Sequence, residues 1–323
     1  MKTQEYICEN PERLDTFLST QIGQTRSQIA GLIKANCVWI DEKQVARPGV
    51  KLKESQKVRV EFPEAKVEEA LEVDFDVEVL YEDDDLLVIN KPSGLTVHPA
   101  PSVKGATLVD WLKHKGVRLS TISGEERNGI VHRLDKGTSG TMVVAKNNDA
   151  HEFLSAQLKD KSMGRYYIAV LNPPLKDDIT TIEGNIGRSA NNRLKMSCGM
   201  EHKKYAKTMF KQLALSTDEK NQLVACKLFT GRTHQIRVHL ETINRHILGD
   251  HIYGVNPRSE KAERILLHAY MIYFVHPTTK EVMTFSADFD TYMKNEIDKK
   301  FNAESINEVM DTSYIVKSFT TNS

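Results

Sequence analysis

Residues 129–146 read Gly-Ile-Val-His-Arg-Leu-Asp-Lys-Gly-Thr-Ser-Gly-Thr-Met-Val-Val-Ala-Lys and combine one acid with a basic, glycine-rich turn. The acid, Asp135, has Arg133 and Lys136 as close neighbours, and nearby cations favour the ionised form of a carboxyl group. The apolar residues 142–145 predict a buried strand directly after the turn. The stretch therefore predicts a charged carboxylate that can act as a nucleophile or a base. A surface turn in which Asp135 only caps the next element is the alternative interpretation.

A second block lies far downstream, at 230–240, and reads Thr-Gly-Arg-Thr-His-Gln-Ile-Arg-Val-His-Leu. Its apolar residues alternate as in a strand, yet Thr233 could equally cap a helix with one apolar face. In both cases Arg237 lies next to packed positions. An arginine there could reach Asp135 and hold its carboxylate through charge-assisted hydrogen bonds. An arginine-rich surface helix that contacts phosphates is the alternative.

Both blocks resemble the signature motifs of the RNA pseudouridine synthases of the large-subunit ribosomal RNA type, and they occur in that family's order. The resemblance implies that Asp135 is the essential catalytic residue and that Arg237 pairs with it. Residues 165–169, Arg-Tyr-Tyr-Ile-Ala, are similar to the family's basic-x-Tyr-x-Ala strand. This match assigns the stacking tyrosine to Tyr167 and not to Tyr166. Adjacent strand residues point to opposite faces, so only one of the two can line a pocket.

Further substrate contacts follow from the same resemblance. Residues 266–269, Leu-Leu-His-Ala, look like the family's last block, which would pack Leu267 against the substrate base. Taken alone, such leucines and tyrosines are more often core residues. His132 and Arg133, beside the nucleophile, would fill or hold the space that the target base leaves. The second block adds three expected substrate-binding residues, namely Arg232, His234 and Gln235.

The implied reaction isomerises a uridine that is already part of an RNA chain: the base is detached, rotated and rejoined through carbon. The uracil must first leave its stack, at a cost on the order of a few kcal/mol. Whether Asp135 attacks the anomeric carbon, attacks the base or abstracts a sugar proton stays open. We expect no metal or other cofactor. The histidine pairs 234/239 and 246/251 lack neighbouring acids in a ligand pattern, and a metal-dependent hydrolase would need a second carboxylate near Asp135.

An acidic segment suggests how the chain divides. The 44 basic and 44 acidic side chains balance overall, but residues 64–85 hold eleven acids and one lysine, so the remainder is mildly basic. The polar stretch within this segment predicts an extended linker that repels itself. The predicted organisation is a small module at 1–62, a linker at 63–76, a catalytic domain at 77–300 and a partly disordered tail at 301–323.

Residues 1–62 resemble the small helix-and-hairpin RNA-binding module shared by a small-subunit ribosomal protein, tyrosyl-tRNA synthetases and many pseudouridine synthases. Two departures stand out: Asn36 replaces the usual Gly, and Ser55-Gln56 replaces a Gly-Asp turn. A purely structural domain or a solvated charged face is the alternative. The predicted phosphate contacts of the module are Arg13, Arg26, Lys34 and Arg47. Those of a second basic stretch, residues 188–211, are Arg193, Lys195, Lys203 and Lys204.

Strand-like segments separated by irregular stretches, with few helices, predict an α+β fold with a mainly antiparallel mixed sheet. The resemblance implies the pseudouridine synthase catalytic fold, with a cleft across that sheet, preceded by a small α/β module. No apolar run approaches the roughly 20 residues of a membrane helix, and residues 1–10 lack signal or transit character. We expect a cytoplasmic monomer that acts, away from membranes, on ribosomal RNA of the large subunit or of a pre-ribosomal particle. A non-catalytic RNA-binding or ribosome-assembly protein on the same fold is the competing hypothesis.

Overall fold

The computed structural model divides the chain into two units, Met1–Leu71 and Glu72–Ser323. The residues that it describes are 2–22, 26–62, 72–100, 103–120, 128–199, 201, 203–254 and 262–319, without the side chains of 2, 27, 28 and 62. The predicted linker, 63–76, is only partly covered, because 63–71 lie outside the described residues. Its last residues belong to the second unit: Trp111 Nε1 donates a hydrogen bond to Asp76 Oδ1 over 3.0 Å. The second unit therefore begins before the predicted position 77.

The first unit contains a four-stranded antiparallel sheet with strand order β1-β4-β2-β3 and two helices. Its elements are β1 (Lys2–Ile7), α1 (Leu14–Ile22), α2 (Arg26–Lys34), β2 (Val38–Ile40), β3 (Lys43–Gln44) and β4 (Lys57–Phe62). Helix α1 buries Leu14, Phe17 and Leu18, one stripe at helical spacing that packs against the sheet. Asn36 and Ser55, the two departures, have φ of 60° and 66°. Both positions adopt the left-handed conformation that glycine ordinarily supplies.

The second unit is built on one large mixed sheet that runs β10-β9-β11-β12-β8-β14-β7-β6-β5, with β13 beside β8 and β15 beside β14. Its strands are β5 (Glu78–Glu82), β6 (Leu86–Lys91), β7 (Ser139–Ala145), β8 (Gly164–Asn172), β9 (Ile179–Arg188), β10 (Met196–Cys198), β11 (Lys204–Leu215), β12 (Gln222–Leu228), β13 (His246–Ile247), β14 (Leu267–Val275) and β15 (Val282–Ser286). Among the described strands only β14 and β7 pair in parallel. The α+β prediction with a mainly antiparallel mixed sheet is confirmed.

Six helices of the second unit fall within the described residues. They are α3 (Leu108–His114), α4 (Asn148–Asp160), α5 (Gln235–Thr242), α6 (Thr291–Lys300), α7 (Ala303–Val309) and α8 (Thr312–Ser318). The second motif block therefore forms a helix, which settles the choice that the sequence left open. None of the described helices is both long and apolar enough to cross a membrane.

The tail from residue 301 is folded as far as Phe319, so the prediction of partial disorder was wrong for this part. Asn302 and Asp311 cap α7 and α8 by accepting hydrogen bonds from backbone N–H groups. Ile315 and Phe319 are buried in the core, and the rings of Phe319 and Tyr166 lie 5.6 Å apart. Capped helices with a few apolar anchors are stable even when their composition is polar.

The faces of the large sheet follow from strand alternation along β8. Tyr167 belongs to one core cluster, together with residues of β7, β12 and α5. Tyr166 belongs to the opposite cluster, which includes the C-terminal helices. Close crossing of β7 and β14 depends on Gly140, whose φ is 114°, because a Cβ there would lie 2.3 Å from the Ala269 carbonyl oxygen. Leu134, on the loop before β7, belongs to the same cluster as Tyr167, so this loop lies over the face that carries Tyr167.

Candidate active site

A cavity of about 620 Å³ opens over this face of the second unit. Its walls come from the loop before β7, the C-terminal end of α4, strand β8 and the start of α5. The structure brings nine of the sequence-predicted residues to this cavity: His132, Arg133, Asp135, Tyr167, Arg232, His234, Gln235, Arg237 and Leu267. Two motif blocks that are distant in sequence therefore meet at one site.

Asp135 and Arg237 lie together in the cavity, with Asp135 Oδ2 accepting a hydrogen bond from Arg237 Nη1 over 3.3 Å. The other two nitrogens of Arg237 form shorter hydrogen bonds. Nε and Nη2 donate to the two carboxylate oxygens of Asp250 over 2.7 and 2.8 Å. Burial alone would lower the pKa of Arg237, but the hydrogen bonds and charges of the two acids outweigh it and raise that pKa. The arginine is thus held as a cation between two carboxylates.

Asp250 is a site residue that the sequence reasoning missed. Burial would raise its pKa, yet Arg237 and the backbone N–H groups of Ile252 and Tyr253 lower it overall. The Tyr253 ring lies 5.0 Å from the Arg237 guanidinium carbon. The available signal was the stretch Gly-Asp-His-Ile-Tyr-Gly at 249–254. An acid between two glycines and near an aromatic residue is typical of a tight turn.

The turn after β6 clamps the loop that carries Asp135. Ser93 Oγ donates to the Gly137 carbonyl and the Gly94 N–H donates to the Lys136 carbonyl, both over 2.8 Å. Lys91 is buried and donates its ammonium protons to backbone carbonyls of the same turn. Burial lowers the pKa of Lys91 to about 7, against the opposing effect of the Asp135 charge. The sequence indicated a turn here but not its role in fixing the carboxylate.

The floor of the cavity is apolar. Tyr167 and Leu267 are buried on adjacent strands, and Leu267 pairs in register with Ala169, two residues beyond Tyr167. Leu228 and Ile236 complete this surface. Burial raises the pKa of Tyr167 to about 12, so its hydroxyl stays protonated at neutral pH. A flat, mostly neutral ring fits such a floor better than a charged group does.

His132 and Arg133 differ in what they can reach. His132 is buried and accepts a hydrogen bond from the Val143 N–H over 3.1 Å. Burial lowers its pKa to about 3, so it is a neutral residue that ties the loop to β7. His132 lines the cavity, and its expected part in filling or holding the space of the departing base stays a prediction. Arg133 is exposed at the cavity mouth, with Nη1 3.0 Å from His98 Nε2.

The residues before α5 mainly organise the loop. Gln235 was expected to bind substrate, but its amide already donates to the Lys207 carbonyl and Thr208 Oγ1. Its amide oxygen accepts from the Arg232 N–H and the Thr230 hydroxyl. Thr233 does not cap the helix; that position belongs to His234.

His234 has φ 56°, a left-handed conformation, and its Nε2 lies 4.0 Å from Asp135 Oδ2. Its Nδ1 lies 3.0 Å from the Tyr253 hydroxyl. Burial lowers the pKa of His234, and the Asp135 charge opposes this effect. Arg232 Nε donates to the Tyr205 carbonyl over 2.9 Å. His234 therefore lies near the carboxylate, and both residues line the cavity.

The predicted phosphate contacts have unequal freedom. Lys195 forms an ion pair with Glu241 over 2.9 Å and lies over the Tyr253 ring, so its charge is largely used. Arg193, Lys203 and Lys204 are exposed. In the first unit, Lys34 and Arg47 are exposed, whereas two arginines share one acid.

Those two arginines, Arg13 and Arg26, each donate to the Asp15 carboxylate over 2.9 Å. The hydrogen bond from Arg13 is the main reason why the pKa of Asp15 lies well below its ordinary range. Both arginine side chains remain more than half exposed. They can therefore still meet a phosphate on their outer sides.

One metal-like cluster occurs among the described residues, formed by Asp83, Asp85 and His276. His276 Nε2 lies 2.8 Å from Asp83 Oδ2, while its Nδ1 accepts the backbone N–H groups of Thr278 and Thr279. Asp83 also accepts the N–H groups of Asp85 and Leu86. These contacts explain the cluster as the support of a strand turn, remote from the cavity residues.

Comparison with known proteins identifies the family of each unit. Residues 85–242 match the RNA pseudouridylate synthase family, and residues 12–58 match the S4 domain. A human protein, RNA pseudouridylate synthase domain containing 1, shares the fold, with a TM-score of 0.57 and 24% identity over 73% of this chain and 94% of its own.

Relatives in bacteria are similar over nearly their whole length. An uncharacterised RNA pseudouridine synthase of Helicobacter pylori strain J99 is 46% identical over 95% of this chain and 96% of its own. A Zymomonas mobilis protein named ribosomal large subunit pseudouridine synthase D is 36% identical over 87% of this chain and 92% of its own. With both motif blocks at one cavity and an S4 domain before it, this chain belongs to the RNA pseudouridine synthases.

Proposed function

We propose that this enzyme isomerises specific uridines of large-subunit ribosomal RNA and that Asp135 is its nucleophile. One observation carries the proposal: Asp135 is the single carboxylate among the described residues that line the cavity. It lies above an apolar floor that suits a uracil ring and is held by an arginine that is itself fixed by Asp250.

The target uridine enters the cavity from outside the RNA stack and its base lies between Tyr167 and Leu267. The reaction breaks the bond between N1 and the anomeric carbon and forms a bond from that carbon to C5. The proton lost from C5 is balanced by one gained at N1, so the product is an isomer and no co-reactant is consumed. As the nucleophile, Asp135 attacks either the anomeric carbon or the base; abstraction of a sugar proton, with Asp135 as a base, is the alternative route. Each route uses the ionised carboxylate that Arg237 holds in place.

The choice of substrate rests on the relatives and on the two basic regions. Proteins named ribosomal large subunit pseudouridine synthase D are similar over most of this chain, in Zymomonas mobilis and in Neisseria meningitidis. The S4 match and the exposed cations of the first unit suit contacts with structured RNA. We place the enzyme in the cytoplasm as a monomer that acts on large-subunit RNA, free or in a pre-ribosomal particle.

The decisive experiment maps pseudouridine in ribosomal RNA by chemical labelling. RNA from cells that lack the gene is compared with RNA from cells complemented by the parent enzyme or by the Asp135→Asn variant. We expect specific large-subunit positions to lose pseudouridine in the deletion, to regain it with the parent and to stay unmodified with the variant. If every ribosomal position keeps its pseudouridine in the deletion, the proposed substrate is wrong.

A further inference from the structure

Arg165 is a buried arginine without an acidic partner among the residues that the structure describes. It lies on β8 two residues before Tyr167, hence on the same face of the sheet, and it lines the cavity. Arg165 is only 8% exposed, and its Nε has no hydrogen-bond partner among the described residues. Within that same part of the chain, no ion pair joins it to a carboxylate, in contrast to Arg237, which has two.

The surroundings of Arg165 are built to hold a cation rather than to neutralise it. Gly231 leaves room for the guanidinium, since a Cβ at that position would lie 2.6 Å from Arg165 Nη1. Burial is the main cause that lowers the pKa of Arg165, and the charge of the nearby Arg232 lowers it further. Arg165 in turn helps to lower the pKa of His132.

A buried, unpaired cation is costly. Desolvation of a charged side chain costs on the order of several kcal/mol unless an opposite charge and hydrogen bonds replace the lost water. In a fold that already pairs Arg237 and Arg264 with acids, such an arrangement has a clear use if the ligand brings the missing anion. Uracil itself is neutral, whereas the RNA backbone carries a charge at each phosphate.

The entrance to the cavity favours the same ligand. Lys159 and Lys161, at the C-terminal end of α4, line the cavity together with Arg165 and Arg232. Lys161 lies just beyond the helix with φ 70° and is exposed. These cations lie outside both basic regions that the sequence indicated. They would guide an RNA strand across the mouth and toward the guanidinium.

We propose that Arg165 binds a phosphodiester adjoining the target uridine and so anchors the flipped nucleotide over Tyr167, with Arg232, Lys159 and Lys161 contacting the same strand nearer the surface. This assignment rests on the proposed function for the identity of the RNA. A guanidinium matches two phosphate oxygens through parallel N–H donors, which suits an anchor that must fix orientation as well as position.

The first test needs only the purified protein. If Arg165 serves a ligand, Arg165→Gln removes an unsatisfied cation, so the melting temperature should stay equal or rise. Arg237→Gln, the matched control, breaks two ion pairs and should lower it. Inorganic phosphate should stabilise the parent more than Arg165→Gln, with Arg165→Lys intermediate. A lowered melting temperature for Arg165→Gln, with no difference in phosphate response, would mean that Arg165 is a structural residue.

The second test uses a synthetic RNA that spans a mapped target uridine. Single neutral methylphosphonates replace the flanking phosphates one at a time. On RNA that keeps all its natural phosphates, Arg165→Gln should raise KM by about 10- to 100-fold, because a charge-assisted hydrogen bond is lost. The change in kcat should be smaller. At one methylphosphonate position, the KM values of the parent and of Arg165→Gln should become equal, because the phosphate charge that Arg165 binds is already absent.

The pattern of losses decides the assignment. If the effects of Arg165→Gln and of the methylphosphonate on KM are additive at every position, the phosphate contact is overturned and a contact with the base is indicated instead. If the parent modifies no ribosomal uridine, the proposed function fails, but the phosphate response of the protein alone still decides whether Arg165 is an anion site. The two failures are therefore distinguishable.

Discussion

Two acid–arginine clusters in this protein use the same chemistry for different purposes. In the first unit, Asp15 accepts from Arg13 and Arg26, whose side chains are 52% and 57% exposed. In the second unit, Asp250 and Arg237 are 1% and 9% exposed. The first cluster buries only the acid, whereas the second buries both partners.

The difference indicates which cluster supplies affinity and which supplies geometry. An exposed guanidinium keeps outward N–H groups that can meet a phosphate, and its ion pair contributes little to stability. A buried guanidinium with all three nitrogens engaged cannot bind anything new without losing a partner. Arg237 is such a residue, and we propose that it orients Asp135. Each prediction below separates these two roles.

The largest effect is expected at the carboxylate that the buried cluster orients. Asp135→Asn keeps the shape of the side chain but removes the ionised group, so isomerisation should fall by roughly a thousandfold or more. RNA affinity should stay within several-fold of the parent, because affinity comes from phosphate contacts elsewhere. Single-turnover assays on ribosomal RNA from deletion cells measure the first quantity, and filter binding measures the second. Detectable pseudouridine at parental rates would remove Asp135 from its assigned role.

The next effect concerns the acid that holds the arginine. Asp250→Asn leaves Arg237 with one carboxylate, so the guanidinium should turn toward Asp135 and displace it. A displacement of about 1 Å can cost roughly a hundredfold in rate, and a broken buried ion pair costs about 3–5 kcal/mol of stability. Asp218→Asn is the matched control, because Asp218 is exposed and lies 3.9 Å from Lys220. Parental activity in Asp250→Asn would show that orientation of Arg237 does not limit the reaction.

The sequence predicted the parts of this site that motifs and alternation encode. Asp135 and Arg237 were expected to meet, and the structure brings them within 3.3 Å. Strand alternation assigned Tyr167 to the pocket side, and in the structure Tyr166 lies on the opposite face of the sheet. Such inferences need only a period of two and two motifs in order.

The rest of the site depends on which hydrogen-bond and ion-pair partners each polar side chain meets in the folded protein, and a linear sequence pattern does not record these partners. Asp250 lies on a short turn without periodicity, so its pairing with Arg237 appeared only in the fold. Gln235 is in a motif block, but its amide is used by the loop itself. The missing partner of Arg165 is likewise a property of its neighbours. The tail lies beyond the family resemblance, so no motif indicated that Ile315 and Phe319 would anchor it.

Acid should unfold the two units in different pH windows. His132, His239 and His268 are buried, and burial lowers their pKa values to about 3, 4 and 4. Unfolded histidine titrates near pH 6.5, so below that value the unfolded state binds protons that the folded state refuses. The second unit should lose stability as pH falls from about 6.5 toward 4, by up to about 1.4 kcal/mol per pH unit for each histidine.

The first unit should not share this loss, because residues 1–71 contain no histidine. Asp15 has a lowered pKa, so its contribution is present above the unfolded value of 3.8 and is lost only as pH falls below it. The chain offers one tryptophan in each unit, Trp39 and Trp111. Urea unfolding followed by fluorescence in Trp111→Phe and Trp39→Phe variants therefore reports each unit separately. Equal pH slopes for the two reporters would contradict the assignment.

The smallest effect is expected in the exposed cluster and its neighbours. Lys34→Gln/Arg47→Gln and Arg13→Gln/Arg26→Gln should each lower the slope of log affinity against log salt by about 0.7–0.9 per lost phosphate contact. Only the second pair should also destabilise the first unit, reported by Trp39, because it leaves the Asp15 carboxylate, 8% exposed, without its cations.

Turnover at saturating RNA should be unchanged in both double variants, since these side chains only position the RNA. Lys220→Gln, an exposed cation of the second unit, controls for the general loss of charge. A reduced salt slope for Lys34→Gln/Arg47→Gln alone would mean that Arg13 and Arg26 only neutralise Asp15. An unchanged slope for both pairs would show that the first unit does not touch the RNA. Its exposed arginines would then stabilise the fold in the same sense as the buried one, and the contrast between the clusters would reduce to burial.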